Sequence, residues 1–247
     1  MPRPRPVRRV LGVLAGLVAG LAACLALFAA PARAAGPEQA GLVTAIEGQA
    51  LATGRDGVRR ALALESPVRV GDSLETGADG ALQVTLQDGT AITMQASGRL
   101  EINDFLYKDQ QPGAMAMAVT FLTGVCRLVT GEIVKHNPER YKVNSPYASI
   151  GIRGTEIGSR VTADGQLVAL LSGSPITVTG KSGEARLIAQ ADFGVDAAKG
   201  APLSAPRPLT EEEKRLFARR VFRSQMDSQR LQMLLQSNRP IFRPGRF

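Results

Sequence analysis

Few residues in this sequence could do chemistry. His136, in VKHNPER, is the single histidine, and Cys24 and Cys126 are the two thiols. Glu101 and Asp104 are neighbouring acids in a strand-like run, and Arg153 and Glu156 bracket a Gly-Thr pair in NSPYASIGIRGTEIG, residues 144–158. A nucleophilic triad would have to be built on His136, and no serine sits in a G-x-S-x-G elbow. One histidine with one or two thiols does not assemble a transition-metal cage within a single chain. Neither a G-x-x-x-x-G-K-[ST] nor a G-x-G-x-x-G phosphate loop is present. Glu101 and Asp104 read as solvated strand-end charges. We therefore assign no catalytic, cofactor-binding or metal-binding residue and expect a protein that is not an enzyme.

Arg153 and Glu156 are the most structured of these groups. Ile150 and Ile152 alternate with Gly151 and Arg153, so the isoleucines are expected to face a core and Arg153 to face away. Gly154 permits a turn between the arginine and the acid. A charge-assisted pair across that turn would fix strand register, and this structural role is favoured over a ligand site. Cys126, in GVCRLVTG, reads as a small buried hydrophobe.

These groups must be positioned by elements outside the targeting segment. MPRPRPVRR carries Arg3, Arg5, Arg8 and Arg9 without an acid, and an apolar run follows from Val10 to Ala30. Ala32 and Ala34 then supply the small side chains of a cleavage site. Residues 1–34 read as a signal peptide cut after Ala34. The alternatives are lipoprotein processing at Cys24 or an uncleaved anchor. Each version delivers the body to the periplasm or beyond. With Arg33 also removed, the net charge falls from +8 to +3. Ala205 to Phe247 holds ten basic and four acidic residues, whereas the preceding body is slightly acidic. An acidic, aromatic-poor body argues against nucleic acid as a partner.

From residue 41 to 193, short alternating runs are separated by glycine turns. Leu82, Val84 and Leu86 alternate with polar residues, and Asp88-Gly89 turns the chain into Ile92 and Met94, which reads as a hairpin. This spacing predicts an all-β fold: a single solenoid-like or sandwich-like β domain. Residues 194–209, rich in Pro and Ala, read as a linker. Thr210 with Glu213 forms a capping box that opens a basic amphipathic helix over 210–236, followed by a tail over 237–247. Its apolar stripe is expected to pack on the β domain. Arg219, Arg220, Arg223 and Arg230 lie on the other face and would serve docking to a partner or peripheral contact with a membrane.

Residues 143–156, VNSPYASIGIRGTE, resemble the signature of the FecR domain family, roughly V-x-T-P-x-A-x-x-x-V-R-G-T-E-F. Pro146, Ile152, Arg153, Gly154, Thr155 and Glu156 carry the match, with Ser145, Ile152 and Ile157 as mild departures. Gly71-Asp72, Thr76-Gly77 and Asp88-Gly89 resemble a second conserved segment of the family, and LLSGSPITVTG a third. The resemblance implies an extracytoplasmic all-β domain. In the regulators that name the family, this domain relays a signal from an outer-membrane receptor to an anti-sigma segment. Only about nine residues precede the apolar run, too few for a folded cytoplasmic domain. The expectation is a standalone secreted FecR-domain protein that acts through an unknown protein or envelope polymer. The alternative is an accessory to a signalling system whose anti-sigma regulator is encoded separately.

Overall fold

A computed structural model describes residues 38–108, 111–218 and 233. The signal segment, the tail over 237–247 and the four arginines Arg219, Arg220, Arg223 and Arg230 lie outside the described residues. The strands are β1 (Gln39–Glu47), β2 (Ala50–Thr53), β3 (Arg59–Ala61), β4 (Pro67–Arg69), β5 (Ser73–Thr76) and β6 (Ala81–Leu86). They continue as β7 (Ala91–Met94), β8 (Arg99–Leu106), β9 (Ala116–Val129), β10 (Tyr141–Asn144), β11 (Ala148–Gly151) and β12 (Thr155–Val161). The last are β13 (Gly165–Gly173), β14 (Ile176–Gly180), β15 (Ala185–Ile188), β16 (Phe193–Ala198) and β17 (Arg207–Pro208). The helix α1 (Glu211–Ala218) follows. The fold is mostly β, as the alternating pattern predicts.

Among the described residues, the 17 strands join one hydrogen-bonded sheet, and their pairings resolve into two ladders. Ladder A runs β4-β1-β6-β7-β9-β12-β13-β16-β17. Ladder B runs β3-β2-β5-β8-β9-β10-β11-β14-β15. The long strand β9 stands in the middle of both. Its first half pairs with β8 and β10, and its second half with β7 and β12. The transfer happens at Gly124, where φ is 89° and an added Cβ would lie 2.6 Å from Gly98 Cα. Only glycine accepts both that backbone and that approach. Apart from β9 with β10, the pairings are antiparallel.

Alternation makes one face of each ladder apolar. Val43, Val84, Leu128, Val168 and Val195 of ladder A join Leu74, Leu100, Val119, Ile150 and Val178 of ladder B in one buried cluster. Two sheets enclosing one core is the sandwich-like alternative. The winding of the chain from one ladder to the other is the solenoid-like feature, without a strict repeat. The hairpin predicted around Asp88-Gly89 is β6–β7, with Leu82 opposite Met94 and Val84 opposite Ile92.

One boundary is corrected. Residues 194–209 are not a linker throughout, because Gly194–Ala198 complete β16 against β13, and Arg207–Pro208 pair with Gly194 and Phe193 as β17. Val195 and Ala197 belong to the core. Alternation of small residues within a Pro-rich stretch gave too weak a periodic signal to register as strand.

The Thr210 capping box forms as read. The Glu213 backbone N–H donates to Thr210 Oγ1 at 3.2 Å, and the Thr210 N–H donates to Glu213 Oε2 at 2.9 Å. Helix α1 rests on the outer face of ladder A. There Phe217 packs with Leu167, Ala169 and Leu209 in a second small cluster. Gly158 of β12 makes this seat, since a Cβ on it would come within 2.6 Å of the Phe217 ring. From Arg219 to Gln236 the predicted helix lies outside the described residues, except for Met233.

Candidate functional site

The signature segment forms the crossing from ladder B to ladder A. Strands β10 and β11 make a hairpin whose corner is Ser145-Pro146-Tyr147. Buried Ser145 organises it: its Oγ accepts the N–H groups of Tyr147 at 3.1 Å and Ala148 at 2.9 Å and donates to Gln166 Oε1. Gln166 Nε2 donates in turn to Ser159 Oγ at 2.8 Å. An inward polar chain of this kind is stable because its members are mutually satisfied. Pro146 stays exposed at the corner.

After β11 the chain crosses through Ile152, Arg153 and Gly154. Ile152 is buried, as its alternation predicts, and Gly154 has φ 74°. The predicted Arg153–Glu156 pair does not form. Arg153 is 75% exposed and faces Glu139 at 3.7 Å, whereas Glu156 accepts from Arg127 Nε on β9 and from Ser172 Oγ at 3.1 Å. The reason is geometric. Glu156 already lies in β12, flanked by β9 and β13, so the residues within its reach are cross-strand neighbours.

Thr155 is the side chain that locks the crossing. It is buried, its N–H donates to Thr130 Oγ1 at 2.9 Å, and its hydroxyl lies 2.6 Å from the Ser174 carbonyl. Thr155 and the Arg127–Glu156 pair together fasten the ends of β9, β12 and β13. Within the signature, Ile152, Thr155 and Glu156 are structural, while Pro146, Arg153 and Gly154 are presented to solvent.

Two further buried polar centres escaped the sequence reading of single residues. Asp72, at the start of β5, is almost fully buried, receives both terminal nitrogens of Arg60 and accepts the Arg69 N–H at 2.7 Å. Asp88, in the β6–β7 turn, accepts from the Thr90 N–H at 3.0 Å and the Thr90 hydroxyl at 2.8 Å, and Thr90 Oγ1 lies 3.1 Å from the Tyr141 hydroxyl. Burial raises the Asp88 carboxyl above its ordinary value, although the Thr90 and Ile133 donors oppose this. Burial likewise pushes the Tyr141 hydroxyl up and the Cys126 thiol up to about 12. At that value Cys126 is an inert core residue. The only advance signal for either aspartate was its Gly-Asp or Asp-Gly dipeptide.

His136 is exposed at the end of a helical turn, Ile133–His136. Glu101 and Asp104 sit on β8, on either side of a register shift, with Asp104 exposed. Among the described residues, no three His, Cys, Asp or Glu side chains converge to hold a metal ion.

Two surfaces remain as candidate contact sites. On the outer face of ladder B, Thr53, Arg55, Ser73, Arg99, Glu101 and Asn103 line an open groove of about 340 Å³. Arg99 Nε donates to Ser73 Oγ at 3.1 Å and Arg55 donates to the Asn103 carbonyl at 3.2 Å, so the groove is a polar lattice with two cations. The second is the ladder edge at β15, which among the described residues pairs with β14 alone and carries Leu187 at 58% exposure. The other ladder edges are blunted: β3 carries Arg59 and Arg60, β4 starts with Pro67, and β17 is two residues ending in Pro208.

Residues 72–174 match the family described as FecR protein. This agrees with the resemblance read from the sequence. No curated protein matches the chain. Among solved structures, two crystal structures of a "putative anti-sigma factor" from Parabacteroides distasonis ATCC 8503 are similar, at 12% and 11% identity and TM-scores of 0.47 and 0.45. Each alignment covers 58% of this chain and 62% of the other, so the chain spans less than two thirds of those proteins. A "Cell surface anchoring domain" aligns over 26% of this chain and 84% of its own, at 25% identity and a TM-score of 0.25.

Proposed function

We propose that this chain is a non-enzymatic extracytoplasmic protein that works by binding another protein or an envelope polymer. The observation that carries this reading is the β15 edge. Among the described residues it is the ladder edge that keeps four residues, lacks proline and exposes a large apolar side chain. A partner segment in extended conformation would pair with its backbone and cover Leu187. The exposed corner with Pro146 and Arg153 and the groove around Arg99 are further polar contacts available to such a partner. The predominantly arginine-based cations suit carboxylates, through paired donors.

The test is site-specific photocrosslinking in growing cells, with the photoreactive residue at Leu187 and, as control, at Leu64, an exposed apolar residue outside the surfaces named above. A defined adduct at Leu187, lost in Ala185→Pro, whose backbone N–H faces the free edge, is the expected result. Leu187 adducts no stronger than those at Leu64 would overturn the edge-docking reading.

A second reading rests on the FecR domain match over 72–174. The chain would be an accessory to a signalling system whose anti-sigma regulator is a separate protein. Deleting the gene should then change transcription from a sigma-dependent reporter at constant sigma factor level. An unchanged reporter, with adducts still formed at Leu187, would leave binding without signalling.

A further inference from the structure

The outer face of ladder B carries one row of short polar side chains set strand against strand. Thr179 of β14 stands opposite Ser149 of β11, Ser149 opposite Asn144 of β10, and Asn144 opposite Thr120 of β9. Thr120 then faces Glu101 of β8, and Glu101 faces Ser73 of β5. Their neighbours along the strands, such as Val143, Ile150 and Val178, lie in the core, so all six point outward and are at least partly exposed. Thr53 on β2 carries the row to a seventh strand, a length of about 29 Å at the usual strand spacing.

The row is arranged before any ligand arrives. Ser149 Oγ donates to Asn144 Oδ1 at 2.9 Å, and Thr120 Oγ1 donates to Asn103 Oδ1 at 2.6 Å. At its β2–β8 end the row enters the groove that holds Arg55 and Arg99. Arg99 Nε is tied to Ser73 and lies 3.4 Å from Glu75. Arg55 is held through Nη2 on the Asn103 carbonyl and lies across Gly71, where an added Cβ would collide with its side chain. Among the described residues these contacts use one nitrogen of each guanidinium, which leaves the other donors of both forks for a ligand.

We propose that this face binds a carboxylated polysaccharide, lying across the strands with its acid groups on Arg55 and Arg99. The inference rests on the reading of the chain as a binding protein, but it uses a surface separate from the β15 edge. A glycan is a string of hydroxyls, which can donate to Glu101 and exchange hydrogen bonds with the Thr and Ser hydroxyls of the row. Short side chains make such bonds at little cost in conformational entropy. An arginine fork matches a carboxylate through two parallel hydrogen bonds. A protein partner fits less well, because protein interfaces centre on aromatic and apolar anchors and the row has none. A membrane surface calls for apolar wedges, which the row lacks as well.

The test is affinity electrophoresis of the natively produced protein through gels holding polygalacturonate, alginate or fully methyl-esterified polygalacturonate. Both polyuronates should retard the protein and the esterified polymer should not. Arg55→Lys with Arg99→Lys keeps the net charge but loses the forks, and should weaken retardation about tenfold or more. Thr120→Val with Ser149→Ala should weaken it about fivefold, with melts matching the parent. Unchanged retardation of the lysine variant would reduce the binding to net charge and overturn the proposal. Equal retardation by the esterified polymer, no retardation by either polyuronate, or capture of a protein by a photoreactive residue at Thr120 would overturn it too. Adducts at Leu187 report separately on the edge: if they form while both polyuronates are ignored, only the glycan inference falls. If the polyuronates bind and Leu187 gives no adduct, only the edge reading falls.

Discussion

Arg207 and Arg153 each sit within six residues of an acid, and only the first of these two pairings is realised. Arg207 and Glu213 meet in two hydrogen bonds of 2.9 and 2.8 Å, and Arg207 also grips Asp196 at 2.7 and 3.1 Å. Arg153 and Glu156, closer in sequence, take different partners. The clasp works because β17 and the first turn of α1 fold back on each other, which places a fork of donors between two carboxylates. Arg153 lies on a crossing that leads away from Glu156, in water. Proximity along the chain sets an opportunity for pairing, and the direction of the backbone decides it.

The largest loss is expected at the clasp. Arg207→Ala should cost about 2 kcal/mol in urea melts, reduced from a fully buried pair because the arginine is 35% exposed. A loss under a few tenths would reduce the clasp to surface decoration. Arg127→Ala and Glu156→Ala should each cost about 1–2 kcal/mol, and the double variant less than their sum. Strict additivity would deny that this cross-strand pair is the true register pin.

A titration sharpens the contrast. The Arg207 guanidinium, aided by the Thr210 N–H, holds Glu213 down to about 2 from an ordinary 4.5. The folded state then binds fewer protons than the unfolded one in that window. The stabilisation is complete above about 4.5 and is lost as pH falls towards 2. Melts of Glu213→Gln should lack that acid-side slope. Buried Asp88 has the opposite sign: its raised value makes its contribution fade as pH rises past the ordinary carboxylate value, so Asp88→Asn should remove that loss. Arg153→Ala should be the mildest of all, with a melting curve matching the parent, because its pair with Glu139 is solvent-exposed at both ends. A large loss there would restore the pin that the geometry denies.

How much was legible beforehand can be seen in particular residues. The β6–β7 hairpin followed from strict alternation and Asp88-Gly89, and the helix start from Thr210 and Glu213, because both signals are confined to a few adjacent residues. Burial of Ile150 and Ile152 followed from the same period. Strand β16 was hidden by the prolines that follow it. The partner of Glu156 was invisible, since Arg127 is 29 residues away. The Asp72–Arg60 and Asp88–Tyr141 centres were equally hidden, as no local pattern distinguishes a buried aspartate from a solvated turn residue.

Side-chain alternation, turn dipeptides and the Thr210–Glu213 box were enough to read the β class, the turns, the cap of α1 and the family resemblance. These depend on side-chain period and on backbone preferences within a few residues. Tertiary structure alone decided which arginine meets which acid, that β9 serves both ladders, and that Gly158 is the seat of Phe217. Those outcomes depend on which distant strands become neighbours, and pairing of distant strands is a property of the whole sheet that no short window of residues contains.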